Sequence, residues 1–265
     1  MTACVLVPVY RPEPIRTERI SLEQLRTKLG DRSIVFAAPA GLDIGPYSAI
    51  LGDRPTYYFD PNFFRSRDSY NNLIVHEPLY RRLVDWEYHL LHQTDAFVIE
   101  DQLDAWVAKS YDYVGSPFWA GDGTMKHLGL TSVGNGGFSL RRTEPMLKAL
   151  VDARSLSNRL LTRVPRTNAK HLRDVRIGRL TEERYWSSYT LRNVAPIDEG
   201  VKFAFEMGLE YLAETYERIT PFGCHHDWNI DYVDRHRQGQ WRGDEPEYEG
   251  VIHEIMLRTG NLSTD

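Results

Sequence analysis

The 265-residue chain has only two cysteines, Cys4 and Cys224, and they lie far apart. That leaves no disulfide framework, and Cys4, inside an apolar strand-like run, reads as a small core residue. No apolar run approaches the ~20 residues that cross a bilayer. The opening Met-Thr-Ala-Cys-Val-Leu-Val-Pro-Val-Tyr lacks the basic start of a signal peptide. There is no excess of positive charge either. The formal net charge is −5, so nothing in the composition offers an electrostatic footprint for nucleic acid. Internal repeats, low-complexity tracts and an interdomain linker are also missing. These absences lead us to expect a soluble protein of the reducing cytoplasm, with no nucleic-acid partner and no transmembrane segment.

What is present is enough apolar residue, 42%, for one large α/β domain or two small ones, and without a linker one is the better count. Ala3 to Val9, Ser33 to Ala38 and Pro55 to Phe59 are short buried-strand runs. Glu18 to Leu29 carries a helical stripe of Ile20, Leu22, Leu25 and Leu29, stopped by Gly30. Ser69 to Trp86 is helical in pattern, interrupted at Pro78. Leu103 to Ala108 reads as a short helix. Tyr111 to Val114 reads as a strand ended by Gly115-Ser116-Pro117. The alternation predicts an α/β fold with a mostly parallel central sheet and helices on both faces. Ligands of such sheets gather at the carboxyl ends of the strands. That points to Tyr10-Arg11, to Gln93 through Asp95, and to Gly115 onward. Beyond residue 117 the pattern is less regular. Trp119 to Thr131 and Thr162 to Arg179 read as loops, and Pro145 to Leu161 and Thr181 to Leu191 as helices.

Four stretches carry chemistry. In Tyr88 to Ile99 an apolar run ends abruptly in Gln93-Thr94-Asp95. A carboxylate at a strand end is where a divalent cation and a diphosphate can meet, because the cation needs hard oxygen ligands in fixed positions. An Asp that merely opens a turn would read the same way. In Val133 to Arg141, three glycines within four residues permit close approach to the backbone, and their N–H groups suit a sugar hydroxyl or phosphate oxygen. The spacing is neither a Walker loop nor a dinucleotide fingerprint, and a glycine-rich hairpin entry is the plainer alternative. Glu182-Glu183 opens a helix, where the dipole alone favours acids, but one of the two can serve as a general base. Neighbours on a helix differ by about 100°, so only one can face a cleft. The other should be replaceable at little cost. Last, Cys224-His225-His226-Asp227 sets potential ligands in a row. Consecutive side chains point apart, so His225 and His226 do not share a metal. One histidine can complete a site built elsewhere.

Taken in order, Tyr70-Asn71-Asn72-Leu73, Glu87 to Val98, Tyr111 to Pro117, the Gly-Asn-Gly-Gly run, Glu182 to Trp186, Phe203 to Glu206 and Pro221 to His225 form a set. This set resembles a bacterial domain family of unassigned function that is similar to GT-A glycosyltransferases. The resemblance covers roughly residues 68–228, and the loop after Val7-Pro8-Val9 also resembles the GT-A donor loop. It implies a single GT-A-like, Rossmann-like domain over residues 1–265, with a nucleotide-binding half at about 1–117 and an acceptor-side half at about 118–265. It implies a hexosyltransferase-like enzyme that moves a sugar from a nucleotide-sugar donor to a glycan or lipid-linked glycan acceptor, in bacterial surface polysaccharide synthesis. A lipid-linked acceptor would bring it to the inner membrane face.

Residue by residue, the resemblance puts Tyr10, Arg11, Asn71, Gln93 and Asp95 with the donor, and Asn135, Gly136 and Gly137 on the acceptor side. Asp95 and His225 become ligands of a divalent cation, Mn²⁺ or Mg²⁺. Gln93 stands where a first carboxylate is usual, and an amide oxygen brings no charge. Glu183 becomes the catalytic base of an inverting displacement, with the 119–131 or 162–179 segment closing over the cleft. Two other classes share some of these features. A sugar-nucleotide nucleotidyltransferase would carry a glycine-rich basic loop after the first strand, which Tyr10 to Pro14 lacks. A carbohydrate-binding module would use the six Trp and fifteen Tyr, but leaves Gln93-Thr94-Asp95 and Glu182-Glu183 without a task.

Overall fold

The computed structural model describes residues 2–119, 130–158, 167–206 and 220–225. The elements in chain order are β1 (Ala3–Pro8), α1 (Arg16–Leu29), β2 (Ser33–Pro39), α2 (Gly45–Leu51), β3 (Thr56–Phe59), a 3₁₀ turn (Pro61–Phe64), α3 (Arg67–Ile74) and α4 (Glu77–Arg81). Then follow β4 (Tyr88–His92), β5 (Ala96–Val98), α5 (Leu103–Ala108), β6 (Tyr113–Trp119), β7 (Leu130–Arg142), α6 (Thr143–Asn158) and α7 (Thr167–Arg176). A short α8 (Glu182–Arg184) runs into a π-helical turn (Tyr185–Thr190), followed by α9 (Ile197–Phe203), β8 (Ala204–Phe205) and β9 (Gly223–His225).

Six strands form one sheet in the order β3-β2-β1-β4-β7-β6. The pairs β2–β3, β1–β2 and β1–β4 are parallel, and β7 runs antiparallel to both of its neighbours. The sheet is therefore mostly parallel, as expected, but mixed. Strand alternation divides β1 between two cores. Val5 and Val7 pack with Leu22, Leu25 and Leu29 of α1 and Tyr47 and Ile50 of α2 on one face. Cys4 and Leu6 pack with Leu73, Leu79, Met146, Leu150, Leu172 and Val175 on the other, so helices cover both faces. Both cysteines are buried. A second sheet, β5-β9-β8, joins the antiparallel pair β5–β9 to the parallel pair β8–β9.

Three expectations need correction. Gly115-Ser116-Pro117 does not end a strand: β6 continues through it to Trp119, with register shifts at Gly115/Ser116 and Ser116/Pro117. A proline is tolerated there because β6 is the last strand of the sheet, where a missing N–H breaks no inner ladder. Gly134 to Gly137 is not a turn before a strand but lies inside β7. The 162–179 segment is not a loop over its described part, because Thr167–Arg176 is helical. Its apolar signal is only Leu172 and Val175, one turn apart among basic residues, and both are buried. Most of the 119–131 segment, residues 162–166, His226 and Asp227 lie outside the described residues. Among the described residues, no helix is long and apolar enough to cross a membrane.

The centre of the sheet holds two buried histidines. His89 contacts Thr143 Oγ1 through Nδ1 at 3.1 Å and packs edge-on against Tyr80. Burial, with the charge of Arg141, drives its pKa down to about 3. Burial likewise lowers His92 to about 4. Both rings fold neutral, while the unfolded chain takes up protons below about pH 6.5. Each histidine's contribution is thus complete above pH 6.5 and is lost as pH falls towards its folded pKa. Burial also raises the Glu182 carboxyl, which works in the opposite direction, so a difference is the clean measurement. Subtracting the unfolding free energy of His89→Asn from that of wild type should give a value that is flat above pH 6.5. Between pH 6 and 4.5 it should fall by up to about 1.4 kcal/mol per pH unit. A difference independent of pH would show that His89 titrates normally in the fold.

Candidate functional site

Strands β1 and β4 run parallel and in register, with Leu6 beside Leu91. The loop after β1 and the turn after β4 therefore open on the same edge. The side chain of Glu18, 6% exposed, joins them. Its Oε1 takes a hydrogen bond from Thr94 Oγ1 at 2.9 Å and lies 3.4 Å from Arg11 Nε. The Arg11 carbonyl accepts from Tyr47 Oη at 3.0 Å. Tyr10 is 47% exposed, and the Arg11 guanidinium lies 5.3 Å from its ring centre. An aromatic face and a cation thus stand ready on the rim. Glu18 and Thr94 are separated by 76 residues, and no spacing in the sequence links them.

Asp95 lies in the turn between β4 and β5, its side chain 35% exposed. His225 arrives from the other side of the small sheet, where β9 pairs Ala96 with His225. Its Nε2 is 3.1 Å from Gln93 Oε1 and 3.2 Å from Asp95 Oδ1. On the far side of the ring, Nδ1 is 3.4 Å from Glu206 Oε1. Burial alone would lower the pKa of His225. The charge and hydrogen bond of Asp95, with those of Glu206, outweigh burial and lift it to about 10.

β7 supplies the floor. Arg141, fully buried, donates from Nη1 and Nη2 to the two carboxylate oxygens of Glu182 at 3.1 and 3.0 Å. It also bonds Ser139 Oγ and the Gly136 carbonyl. A Cβ at Gly136 would lie 2.5 Å from Glu182 Oε1 and from Glu183 Cγ, and one at Gly137 would overlap the His225 ring. The close approach that the glycines permit is made by the protein's own side chains. This corrects the expectation of N–H groups open to a ligand: Gly136 and Gly137 are buried, and Gly137 N–H donates to Asn135 Oδ1 at 3.3 Å. Asn135 is itself 7% exposed.

The two adjacent acids are sharply different. Glu182 is 1% exposed and held by Arg141; burial, only partly opposed by Arg141, raises its pKa to about 7. Glu183 Oε2 is buried with no hydrogen-bond partner. Tyr185 and Trp186, both fully buried, anchor the following π-turn in the core. The structure thus gathers Gln93, Asp95 and His225 at one point and sets Glu183 over the adjoining glycine. Asn71 is buried in α3.

The donor atoms suit a divalent cation. Cis ligands about 2.1 Å from one ion stand about 3.0 Å apart in an octahedron. The separations from His225 Nε2 to Gln93 Oε1 and Asp95 Oδ1 are close to that value. Among the described residues no three His, Cys, Asp or Glu side chains converge as a metal cluster. A cation here would take one charged protein ligand and complete its shell from a bound diphosphate and water.

A mixed sheet in this order is a fold also found in solved GT-A glycosyltransferases. A crystal structure of the galactosyltransferase LgtC in complex with donor and acceptor sugar analogs superposes over 94% of this chain and 99% of its own, with a TM-score of 0.55 at 12% identity. The WbbM bifunctional glycosyltransferase superposes over 95% of this chain and 51% of its own, with a TM-score of 0.52 at 11% identity. At these identities the likeness establishes the fold. Residues 54–225 match the family described as "Protein of unknown function (DUF5672)", and the chain belongs to that family. No curated protein matches the sequence.

Glu182 was expected to be cheaply replaced; its burial against Arg141 reverses that expectation. Glu182→Ala would leave a buried guanidinium uncompensated. We expect a loss of about 3–5 kcal/mol in chemical denaturation. A loss below about 1 kcal/mol would mean that Arg141 finds water or another partner.

Proposed function

We propose that this protein is a glycosyltransferase that moves a sugar from a nucleotide diphosphate donor to a hydroxyl acceptor. The observation that carries the reading is the meeting of Gln93 Oε1, Asp95 Oδ1 and His225 Nε2 within 3.2 Å, on the edge where Tyr10 and Arg11 stand exposed. Tyr10 offers a face for the base and Arg11 a charge for the diphosphate. A divalent cation bound at Asp95 and His225 would offset negative charge on the departing diphosphate. Asn135, Gly136 and Gly137 form the floor on the acceptor side, and the acceptor we infer is a glycan or lipid-linked glycan.

Glu183 has the role of base in an inverting displacement. Its Oε2 is buried without a partner, whereas Glu182 is committed to Arg141. Glu183 takes the proton of the acceptor hydroxyl as that oxygen bonds to the anomeric carbon. The bond from that carbon to the diphosphate oxygen breaks, and its electron pair leaves with the nucleoside diphosphate.

Thermal-shift and calorimetric titration with uridine, guanosine, thymidine and cytidine diphosphates, each with Mn²⁺, tests the reading. One of them should bind. Asp95→Asn should weaken that binding and abolish donor turnover; because Asp95 also faces the buried His225, circular dichroism must show the variant folded at the assay temperature. Binding of triphosphates alone, or of free sugars alone, would favour a nucleotidyltransferase or a sugar-binding module.

Glu183→Gln keeps shape and hydrogen bonding but cannot accept the proton. Turnover should fall by about 10²–10⁴-fold with donor affinity nearly unchanged. Wild-type turnover in that variant would place the base elsewhere.

A further inference from the structure

His225 sits in the middle strand of the small sheet, with a carboxylate on either side. β5 and β9 pair Ala96 with His225, which puts Asp95 at the outer end of that pair. β8 and β9 run parallel, with Ala204 beside Gly223 and Phe205 beside Cys224. Continuing that register by one residue brings Glu206 beside His225. The two ring nitrogens of an imidazole point away from each other. Glu206 Oε1 lies 3.4 Å from Nδ1, whereas Asp95 and Gln93 face Nε2. Glu206 is thus on the wrong side of the ring to share an ion with Asp95. Nor is it an incidental surface charge, because its side chain is 20% exposed and the ring it faces is 9% exposed. Gly137 closes the remaining side: a Cβ there would overlap the His225 ring, so the ring is seated against bare backbone.

We propose that Glu206 is a positioning residue: from behind His225 its carboxylate holds the proton on Nδ1, so that Nε2, which faces Gln93 and Asp95, is the nitrogen that gives up its proton to a divalent cation shared with them. The proposal rests on the cation site described above. A carboxylate behind a ligating histidine orients the ring and raises its basicity, and its loss typically weakens metal affinity 10–100-fold. That support matters more here than in a site with two carboxylate ligands. Gln93 contributes no charge, so the quality of the His225 lone pair carries more of the binding.

The test is Mn²⁺ binding to the protein alone, followed by electron paramagnetic resonance, for wild type, Glu206→Ala, Glu206→Gln and Asp95→Asn. Circular dichroism verifies the fold of each. Glu206→Ala should bind Mn²⁺ about 10–100-fold more weakly than wild type, and Glu206→Gln, which keeps an acceptor, should recover part of the loss. In ¹⁵N spectra of the Zn²⁺-loaded wild type, His225 should carry its proton on Nδ1 alone, and Glu206→Ala should lose that preference. If Glu206→Ala does not fold, Glu206→Gln carries the comparison and should still bind more weakly than wild type. Wild-type affinity in the Glu206 variants, with binding lost in Asp95→Asn, would overturn the role of Glu206 and leave the cation site standing. Absence of Mn²⁺ binding in wild type would overturn the cation site itself.

Discussion

A guanidinium that is fully buried has to be neutralised where it stands, and much of this site follows from that constraint. Arg141 lies in β7, next to the centre of the sheet. Its carboxylate partner is the first residue of α8, so the ion pair pins the start of that helix to the strand. Glu183, one residue further on, is then held over Gly136, and the glycine is needed because any Cβ would collide with both acids. Tyr185 and Trp186 complete the anchoring by filling the core behind. One buried charge thus fixes a helix, requires a glycine and leaves the neighbouring Glu183 Oε2 buried without a hydrogen-bond partner.

The second half of the site is built by much less structure. β8 has two residues and β9 three, yet between them and β5 they set a histidine between carboxylates. The hydrogen-bond ladder does what side-chain packing alone would do poorly: it fixes the spacing between neighbouring strands at about 4.8 Å. The two halves meet at Gly136 and Gly137, whose missing side chains admit Glu183 from one and His225 from the other.

The strands and longer helices were legible because their signals are local: β-branched runs for β1 and β2, an apolar stripe for α1. The break in the apolar run at Gln93 correctly marked the sheet edge where Asp95 and His225 meet. What stayed hidden depends on partners far along the chain. Glu18 acts through Thr94 and Arg11, and nothing near it signals this. Glu182 and Glu183 look equivalent in sequence; only Arg141, 41 residues earlier, separates them. Glycines announce close approach but not what approaches, so the run reads as open to a ligand. Two buried positions in a basic segment make too weak a stripe to signal α7. β7 was shortened because glycine, which lowers strand propensity, sits at the point where the strand must pass under two acids.

The same strand has a consequence for how the chain reaches its fold. A β-strand that slips by one residue turns every side chain to the opposite face. For most strands of this sheet, apolar on both faces, such a slip would exchange one hydrophobic contact for another. For β7 it would carry Arg141 to the face packed on α1, away from Glu182, and would slide Phe138 under His225 or Asn135 under Glu183, where only glycine fits. The buried charge and the glycines act together as a key that fits one alignment of the central pair, and every other alignment is penalised by desolvation and collision at once.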